Sequence, residues 1–380
     1  MEKDMAAGHA DTNSNEARRQ MPLEGVKVLE FTGLGPTPFG AMMLCDLGAS
    51  GIRIERAGAT NPLGGDPKFD FLFRGRPSLE LDIKSHEGVE TILELVQKAD
   101  VLIEGYRPGT MERLGLGPDR LCELNERLVY TRMSGWGQEG PLSQKAGHDI
   151  NYLALSGGLH PIGPFDGAPT PPLNLVGNFG GGGMLMVVGV LAALQERQRS
   201  GRGQVLDVAM IDGISVLLTQ LSGWMQMGQW NSGRGGNLLD GSAYFYRCYE
   251  TADGRHIAVG ALEKQFHDAF LTGLGFDPLD FDDYLNPEHW ASRAELLGPV
   301  IKTKTMTEWE VAFAGLDACV TPVLTLEEAS RSETNRTRGS IIATDLSFQP
   351  RPAPRFSSSS LRYPHETVTA SPADGWPPHW

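Results

Sequence analysis

Cysteine is scarce and scattered. Four occur in 380 residues, Cys45, Cys122, Cys248 and Cys319, and no two form a C-x-x-C pair. A zinc-finger site or a thioredoxin-type redox motif therefore has no basis. Without a secretion signal, reduced thiols in a cytoplasmic protein are the expectation. Long apolar runs are missing too: the longest, Met184 to Leu194, is too short to span a bilayer. Met1 to Gln20 holds no apolar signal core and is polar and mixed in charge, so residues 1–21 are expected to be a disordered tail. Positive charge is in deficit, with 33 Lys and Arg against 47 Asp and Glu and a net charge of −14. That balance argues against wrapping nucleic acid or an anionic membrane, while leaving room for one local basic patch. P-loop, H-E-x-x-H, G-x-S-x-G and EF-hand patterns are all absent.

What is present fits a soluble globular chain of about two domains: 40% hydrophobic and 21% charged residues. Val26–Phe31 reads as a buried strand, followed by Gly33-Leu-Gly35-Pro, a helix over Pro38–Leu47 and a strand over Ser50–Glu55. This is the strand, glycine turn, helix and strand rhythm of a dinucleotide fold, and Glu55 stands where a ribose carboxylate would. Pro38, however, occupies the place of the third glycine, and Glu55 lies between Arg53 and Arg56, so a nicotinamide cofactor is disfavoured. A helix His86–Ala99, a strand Val101–Ile103 ending at Glu104-Gly-Tyr-Arg-Pro-Gly109, and a strand Leu128–Met133 ending at Ser134-Gly-Trp-Gly137 continue the alternation. The pattern predicts an α/β class with a large, doubly wound parallel sheet, its ligand site at the carboxyl ends of the strands.

Four glycines, Gly180–Gly183, precede the apolar helix Met184–Gln198. Bare backbone before a helix N-terminus suits an anion or oxyanion; close packing of backbone on backbone is the equal alternative. Gln204–Met210 reads as a strand, and Ile211–Gly228 as a helix whose methionines fill an interior. After Gly228 the texture changes. Tyr244–Thr251, Asp253-Gly254 and His256–Gly260 form a hairpin signal, with helices near Lys264–Leu274, Trp290–Lys302 and Thr307–Leu316. This predicts a smaller α+β domain over 229–322 beside a large domain over 22–228. From Val320 the chain turns irregular, with a return segment and tail over 323–380 that covers surface.

Of nine histidines, His9, His365 and His379 lie in tails and His86 at a helix start. His148 differs, standing in Gly147-His-Asp-Ile-Asn-Tyr152 before an apolar segment. Asp149 and Asn151 beside it are placed to fix an imidazole tautomer, as a general base requires, although a lone histidine is more often structural. Arg53, Arg56, Arg74, Arg76, Lys84 and Arg107 gather in the first third, at strand ends. They form either a convergent phosphate site or ordinary surface charge.

Several segments in order carry a resemblance: Pro22-Leu-Glu-Gly-Val-Lys-Val-Leu-Glu-Phe31, Asp46-Leu-Gly-Ala49, Ile103-Glu-Gly-Tyr-Arg-Pro-Gly109, Gly147-His-Asp-Ile-Asn-Tyr152, Leu173-Asn-Leu-Val-Gly177, Ala258-Val-Gly-Ala-Leu-Glu263 and Ala318-Cys-Val-Thr-Pro-Val323. From about Pro22 to Phe356 the chain resembles the class III CoA-transferase superfamily, in particular its bacterial α-methylacyl-CoA racemase branch. The resemblance implies an acyl-CoA thioester substrate, no prosthetic group, and an interlocked homodimer with its active site between subunits. It implies that His148 is one acid/base and that Glu263, from the partner's small domain, orients it. It further implies that Arg56 and Arg107 meet CoA phosphates or adenine, and that Leu34, Leu81, Ile83 and Tyr152 line the ligand site. A thioester α-proton is removable because the enolate spreads charge onto oxygen, and a racemase needs two acid/bases flanking that carbon plus a stabiliser for the enolate oxygen.

One departure stands out. Where the family motif G-D-F-G-G-G carries its second acid/base, this chain reads Gly177-Asn178-Phe179-Gly180. An amide neither takes nor delivers a proton at neutral pH, nor serves as the nucleophile that a CoA-transferase needs at this position. Three explanations stay open: an engineered trap, a natural paralogue that works with His148 alone, or an acyl-CoA binder without turnover.

Overall fold

The computed structural model describes residues 19–56, 58, 64, 66–343, 347–363 and 369–370. The expected tail at the start of the chain, with His9, His365 and His379, falls almost wholly outside them.

The large unit is built on parallel strands β1 (Lys27–Phe31), β2 (Ser50–Glu55), β3 (Ser78–Glu80), β4 (Val101–Glu104), β5 (Val129–Ser134) and β6 (Val205–Ala209). The sheet order is β3-β2-β1-β4-β5-β6, each pair parallel. Strands β1, β4 and β5 are near-continuous runs of buried residues, as expected where helices cover both faces of a sheet. Those faces carry α1 (Pro36–Asp46), α2 (His86–Val96), α3 (Thr110–Arg113), α4 (Pro118–Leu124), α5 (Asp149–Ser156), α6 (Leu185–Ser200), α7 (Met210–Leu217) and α8 (Thr219–Gln226). Two apolar clusters lie on the two faces, one around Leu44, Val101, Val129 and Met186, the other around Leu29, Ile52, Leu102 and Tyr130.

The glycine-rich segment departs from expectation. Residues Leu175–Met184 are wound in wide, π-type turns, with the Phe179 N–H donating to the Asn174 carbonyl at 3.2 Å, and run directly into α6. Gly180–Gly183 therefore sit inside a helix rather than ahead of one, and Gly181, Gly182 and Gly183 are buried. Of the two alternatives, close packing is what these glycines do: a methyl on Gly182 would stand 2.8 Å from Pro36 Cβ and one on Gly183 3.0 Å from the Pro36 carbonyl. The combined helix, Leu175–Ser200, is long and apolar enough to cross a membrane by length and composition alone, yet one side of it packs on the sheet unit. Methionines were expected inside the following helical stretch. Its two, Met225 and Met227, are instead 49% and 62% exposed at the end of α8.

The second unit holds an antiparallel sheet of β7 (Tyr246–Glu250), β8 (His256–Gly260) and β9 (Val320–Pro322) with helices α9 (Lys264–Leu274), α10 (Trp290–Ile301) and α11 (Met306–Phe313). Its own core joins Phe245, Phe270, Leu297 and Trp309. The chain after Val320, expected to be irregular, is more ordered than that. It completes this sheet and then forms α12 (Leu326–Arg331), α13 (Glu333–Arg338), the pair β10 (Ile341–Ala343) and β11 (Phe348–Pro350), and β12 (Thr369–Ala370), which extends the large sheet beside β3. Capping boxes at Thr305-x-x-Glu308 and Thr325-x-x-Glu328 are sequence signals for the starts of α11 and α12.

Candidate active site

In a parallel sheet of this order the chain reverses direction of addition between β1 and β4, and ligands bind outside the carboxyl ends of the strands at that crevice. Leu34 follows β1, Arg56 follows β2, Leu81 and Ile83 follow β3, and Arg107 follows β4. The topology thus puts all five at one edge. Leu34 is 58% exposed, Arg56 and Arg107 are exposed, and Leu81 and Ile83 pack half-buried on the core together with Tyr106.

A cavity of about 240 Å³ opens at this edge, lined by Tyr106, Arg107, Trp136, Lys145, His148 and Tyr152 among others. Tyr152 is held within it by two contacts and by the absence of a side chain at position 147. Its hydroxyl donates to the Gly147 carbonyl at 2.5 Å, its ring meets Trp136 edge-on at 4.7 Å between centroids, and a methyl on Gly147 would come within 2.8 Å of the ring. Glycine at 147 is what allows the aromatic to lie there. Burial, aided by the Asp149 charge, pushes the Tyr152 phenol above its ordinary range, so it is present as a hydroxyl.

His148 occupies the N-cap position of α5 and is exposed to the cavity. Its expected neighbours behave otherwise than anticipated. Asn151 Oδ1 accepts the backbone N–H of His148 at 3.0 Å, and Asp149 Oδ1 accepts the backbone N–H of Asn178 at 2.5 Å. Neither bond reaches the imidazole; both position backbone. Asp149 is buried, and desolvation raises its carboxyl above the ordinary range while the N–H groups of Asn178 and Gly177 oppose that rise. These are first-turn donors of the glycine-rich helix, the natural anion site of a helix start. In this chain they hold an internal carboxylate. The reading of Gly180–Gly183 as an open oxyanion site is thereby corrected: those N–H groups lie within helical turns, and the donors at the helix start are engaged by Asp149.

Asp149 also brings the two candidate catalytic positions together, being next to His148 in the chain and bonded to Asn178. Asn178 in turn lies against the turn after β1, where a methyl on Gly35, a residue at φ 68°, would stand 2.8 Å from its Nδ2. Glu263 is not part of this set. It is exposed at the N-cap of α9 in the second unit, and among the described residues no hydrogen bond or ion pair joins it to His148.

The basic cluster is divided. Arg53 pairs with Glu55 at 2.8 Å, Arg74 with Asp46 at 2.5 Å and Arg76 with Glu30 at 2.6 Å, all buried. These arginines serve the fold, and Glu55 is committed to Arg53 and Ser78 rather than free for a ribose. Among the described residues, Arg56, Lys84 and Arg107 are exposed and have no carboxylate partner. Two lining residues escaped the sequence reading. Lys145 sits in a loop with no periodicity to mark it, and Tyr106 lay unremarked inside a glycine-bearing turn. Beneath that turn, Glu104 is buried at the end of β4. Its carboxylate accepts the Tyr106 N–H at 2.7 Å and Arg132 Nε at 3.1 Å, yet desolvation outweighs both and pushes its pKa up to about 7.

A parallel-sheet unit with a basic, tyrosine-lined cleft at its switch point and a histidine at a helix start defines a ligand-binding α/β enzyme scaffold. Residues 23–376 match CoA-transferase family III, and the chain belongs to that family. It is 46% identical over 338 residues to the alpha-methylacyl-CoA racemase of Mus musculus, spanning 89% of this chain and 87% of that one. It is 43% identical over 335 residues to the alpha-methylacyl-CoA racemase of Homo sapiens, spanning 88% and 86%. In three dimensions it is similar to a CAIB/BAIF family protein from Brucella suis, with a TM-score of 0.76, 25% identity, and coverage of 92% and 97%.

Proposed function

We propose that this protein acts on acyl-CoA thioesters, moving a proton at the α-carbon of a 2-methylacyl-CoA through an enolate. The observation that carries this reading is the cleft that holds His148 beside Arg107 and Tyr152, with Asn178 tied to the same helix start through Asp149. Similarity to two racemases along most of the chain supports it. CoA enters as part of the substrate, its phosphates meeting Arg56 and Arg107, whose guanidinium groups suit phosphate. Leu34, Leu81, Ile83 and Tyr152 border the ligand, and no prosthetic group takes part.

His148 takes the α-proton from one face and returns it. A neutral imidazole carries one nitrogen that accepts a proton and one that donates, which is what a general acid/base needs. Glu263 orients His148 from the second unit of a partner chain. A second copy of this chain accounts for the apolar surface left open on the helical layer, where Leu155, Leu173, Val188, Val216 and Met227 are each more than half exposed. An interlocked homodimer covers that surface and completes the site. The unpaired thiols fit a cytoplasmic location.

Asn178 occupies the second acid/base position and cannot exchange a proton, so the chain performs one-base chemistry: stereospecific α-proton exchange without racemisation. The CoA-transferase alternative is weaker, because an amide at 178 offers no carboxylate to form an acyl–enzyme bond. The test is α-proton exchange in D₂O with separate (R)- and (S)-2-methylacyl-CoA, using this chain, His148→Ala and Asn178→Asp. Exchange of one epimer by the native chain, its loss in His148→Ala and racemisation of both epimers by Asn178→Asp are expected. Tight acyl-CoA binding with no exchange in any form would instead make the protein a binder.

A further inference from the structure

The arginines of the large unit divide into those paired with a carboxylate and those that are not. Arg53, Arg74, Arg76, Arg132 and Arg197 each meet a carboxylate within 3.1 Å. Arg351, Arg355 and Arg362 do not: among the described residues, none of the three is ion-paired to a carboxylate. They nevertheless converge on one cavity of about 310 Å³, together with Phe356, Ser360 and Tyr363.

Two observations show that the convergence is built. First, Arg351 Nη1 and Arg355 Nη2 stand 3.1 and 3.4 Å from the point that a methyl on Gly339 would occupy, just past the end of α13. Two like charges brought to one spot repel, and a counter-anion between them removes that cost. Second, the frame is tied down from several sides. Arg351 donates its backbone N–H to Ser340 O at 2.9 Å and a side-chain N–H to the Tyr363 hydroxyl. Arg362 donates its backbone N–H to Asp46 O at 2.9 Å and Nη2 to Gly48 O at 3.1 Å. Ser360 donates its N–H to Gln20 O at 3.3 Å.

Those anchors also locate the cavity. Asp46 closes α1 and Gly48 leads into β2, so the pocket lies at the edge where the strands begin. The cleft with Arg107 and His148 lies at the edge where they end. The two sites are on opposite ends of the sheet, and one ligand does not fill both.

We propose that this pocket is a second, independent site for a phosphate-bearing anion, bound by the forked guanidinium groups of Arg351 and Arg355 with Arg362 behind them. The aromatic rings of Phe356 and Tyr363, 40% and 55% exposed at the rim, are placed to cover a flat group attached to the phosphate. The occupant is therefore either a free polyphosphate or a phosphorylated nucleoside, and two probes separate these sources: pyrophosphate and adenosine 3′,5′-bisphosphate.

The experiment is calorimetric titration of the full chain with each probe at fixed ionic strength. The native chain is compared with Arg351→Ala/Arg355→Ala, with Arg355→Glu, and with Arg107→Ala as a control in the other cleft. Arg355 is exposed, so Arg355→Glu keeps the test valid if the double variant fails to fold. Pyrophosphate affinity at least about tenfold lower in both pocket variants, together with a binding step that survives in Arg107→Ala, supports the site. Tighter binding of the bisphosphate, lost in the same variants, identifies the nucleoside source. Absence of pyrophosphate binding by the native chain, its loss in Arg107→Ala, or a binding step in Arg107→Ala that persists when Arg355→Glu is added overturns the proposal.

Discussion

Glu104 offers a sharp test of the electrostatics under the cleft. It is a carboxyl at the end of a central strand, 1% exposed, with a guanidinium beside it and a backbone N–H on it. Intuition makes such an ion pair stabilising at neutral pH, but here desolvation exceeds the attraction and the pKa rises from its ordinary 4.5 to about 7. The sign follows by linkage. Between those two values the folded chain binds a proton that the unfolded chain has released, so stability falls as pH rises through the interval. At about 1.4 kcal/mol per pH unit the loss is about 3 kcal/mol. The perturbation is Glu104→Gln, which is isosteric and titrates nowhere. Urea unfolding of both forms from pH 5 to pH 8 provides the measurement, and the quantity read is the difference between them, which cancels every other titrating group. Near pH 5 the native carboxyl is protonated and resembles the amide. By pH 8 the Gln form should have gained about 3 kcal/mol on the native chain. A difference that stays flat, or moves the other way, would mean that Arg132 prevails over burial and would refute the reasoning.

Two further outcomes concern the glycine-rich helix and the cleft. Gly213→Ala puts a methyl into the Gly181 backbone, with the Gly181 Cα 2.8 Å away. This contact is backbone on backbone and cannot relax by a rotamer change, so a loss of about 3 kcal/mol in urea unfolding is expected; a change below about 1 kcal/mol would show that α7 and the glycine-rich helix are not locked together. Arg107→Ala removes an exposed guanidinium that has no carboxylate partner among the described residues. If it meets a CoA phosphate, the bond is worth about 1.5–3 kcal/mol, so calorimetry should show CoA binding weakened roughly 10- to 100-fold, whereas unchanged affinity would remove Arg107 from the ligand site.

Much of this architecture was legible along the chain because it depends on local periodicity. The apolar runs at Val26–Phe31 and Val101–Ile103 and the helical spacing of Ile92, Leu93, Leu95 and Val96 are one-dimensional signals, and they correspond to β1, β4 and α2. The hairpin around Asp253-Gly254 is equally local, since Gly254 adopts φ 72° in the turn between β7 and β8. Short elements held by distant partners left no such trace. The three residues of β3 are strand only because β2 lies beside them, and β9 is strand only because β8 does.

The site divides in the same way. Its ingredients, a histidine before a helix and arginines in glycine-bearing turns, are visible as residues in a row. The chain alone determined which chemistry was on offer: an imidazole at 148, an amide at 178, and a surplus of arginine in the first third. Tertiary structure decided which of those groups are free. It buried Arg53, Arg74 and Arg76 in ion pairs and left Arg107 open. It turned Asp149 away from the imidazole and onto the start of the glycine-rich helix, and it closed Gly180–Gly183 into helical turns. A charged or hydrogen-bonding group satisfies itself with whatever partner folding brings within about 3 Å. That partner lies tens of residues away in the chain, at Asp46 for Arg74 and at Asn178 for Asp149, so only the packed structure tells an occupied group from an available one.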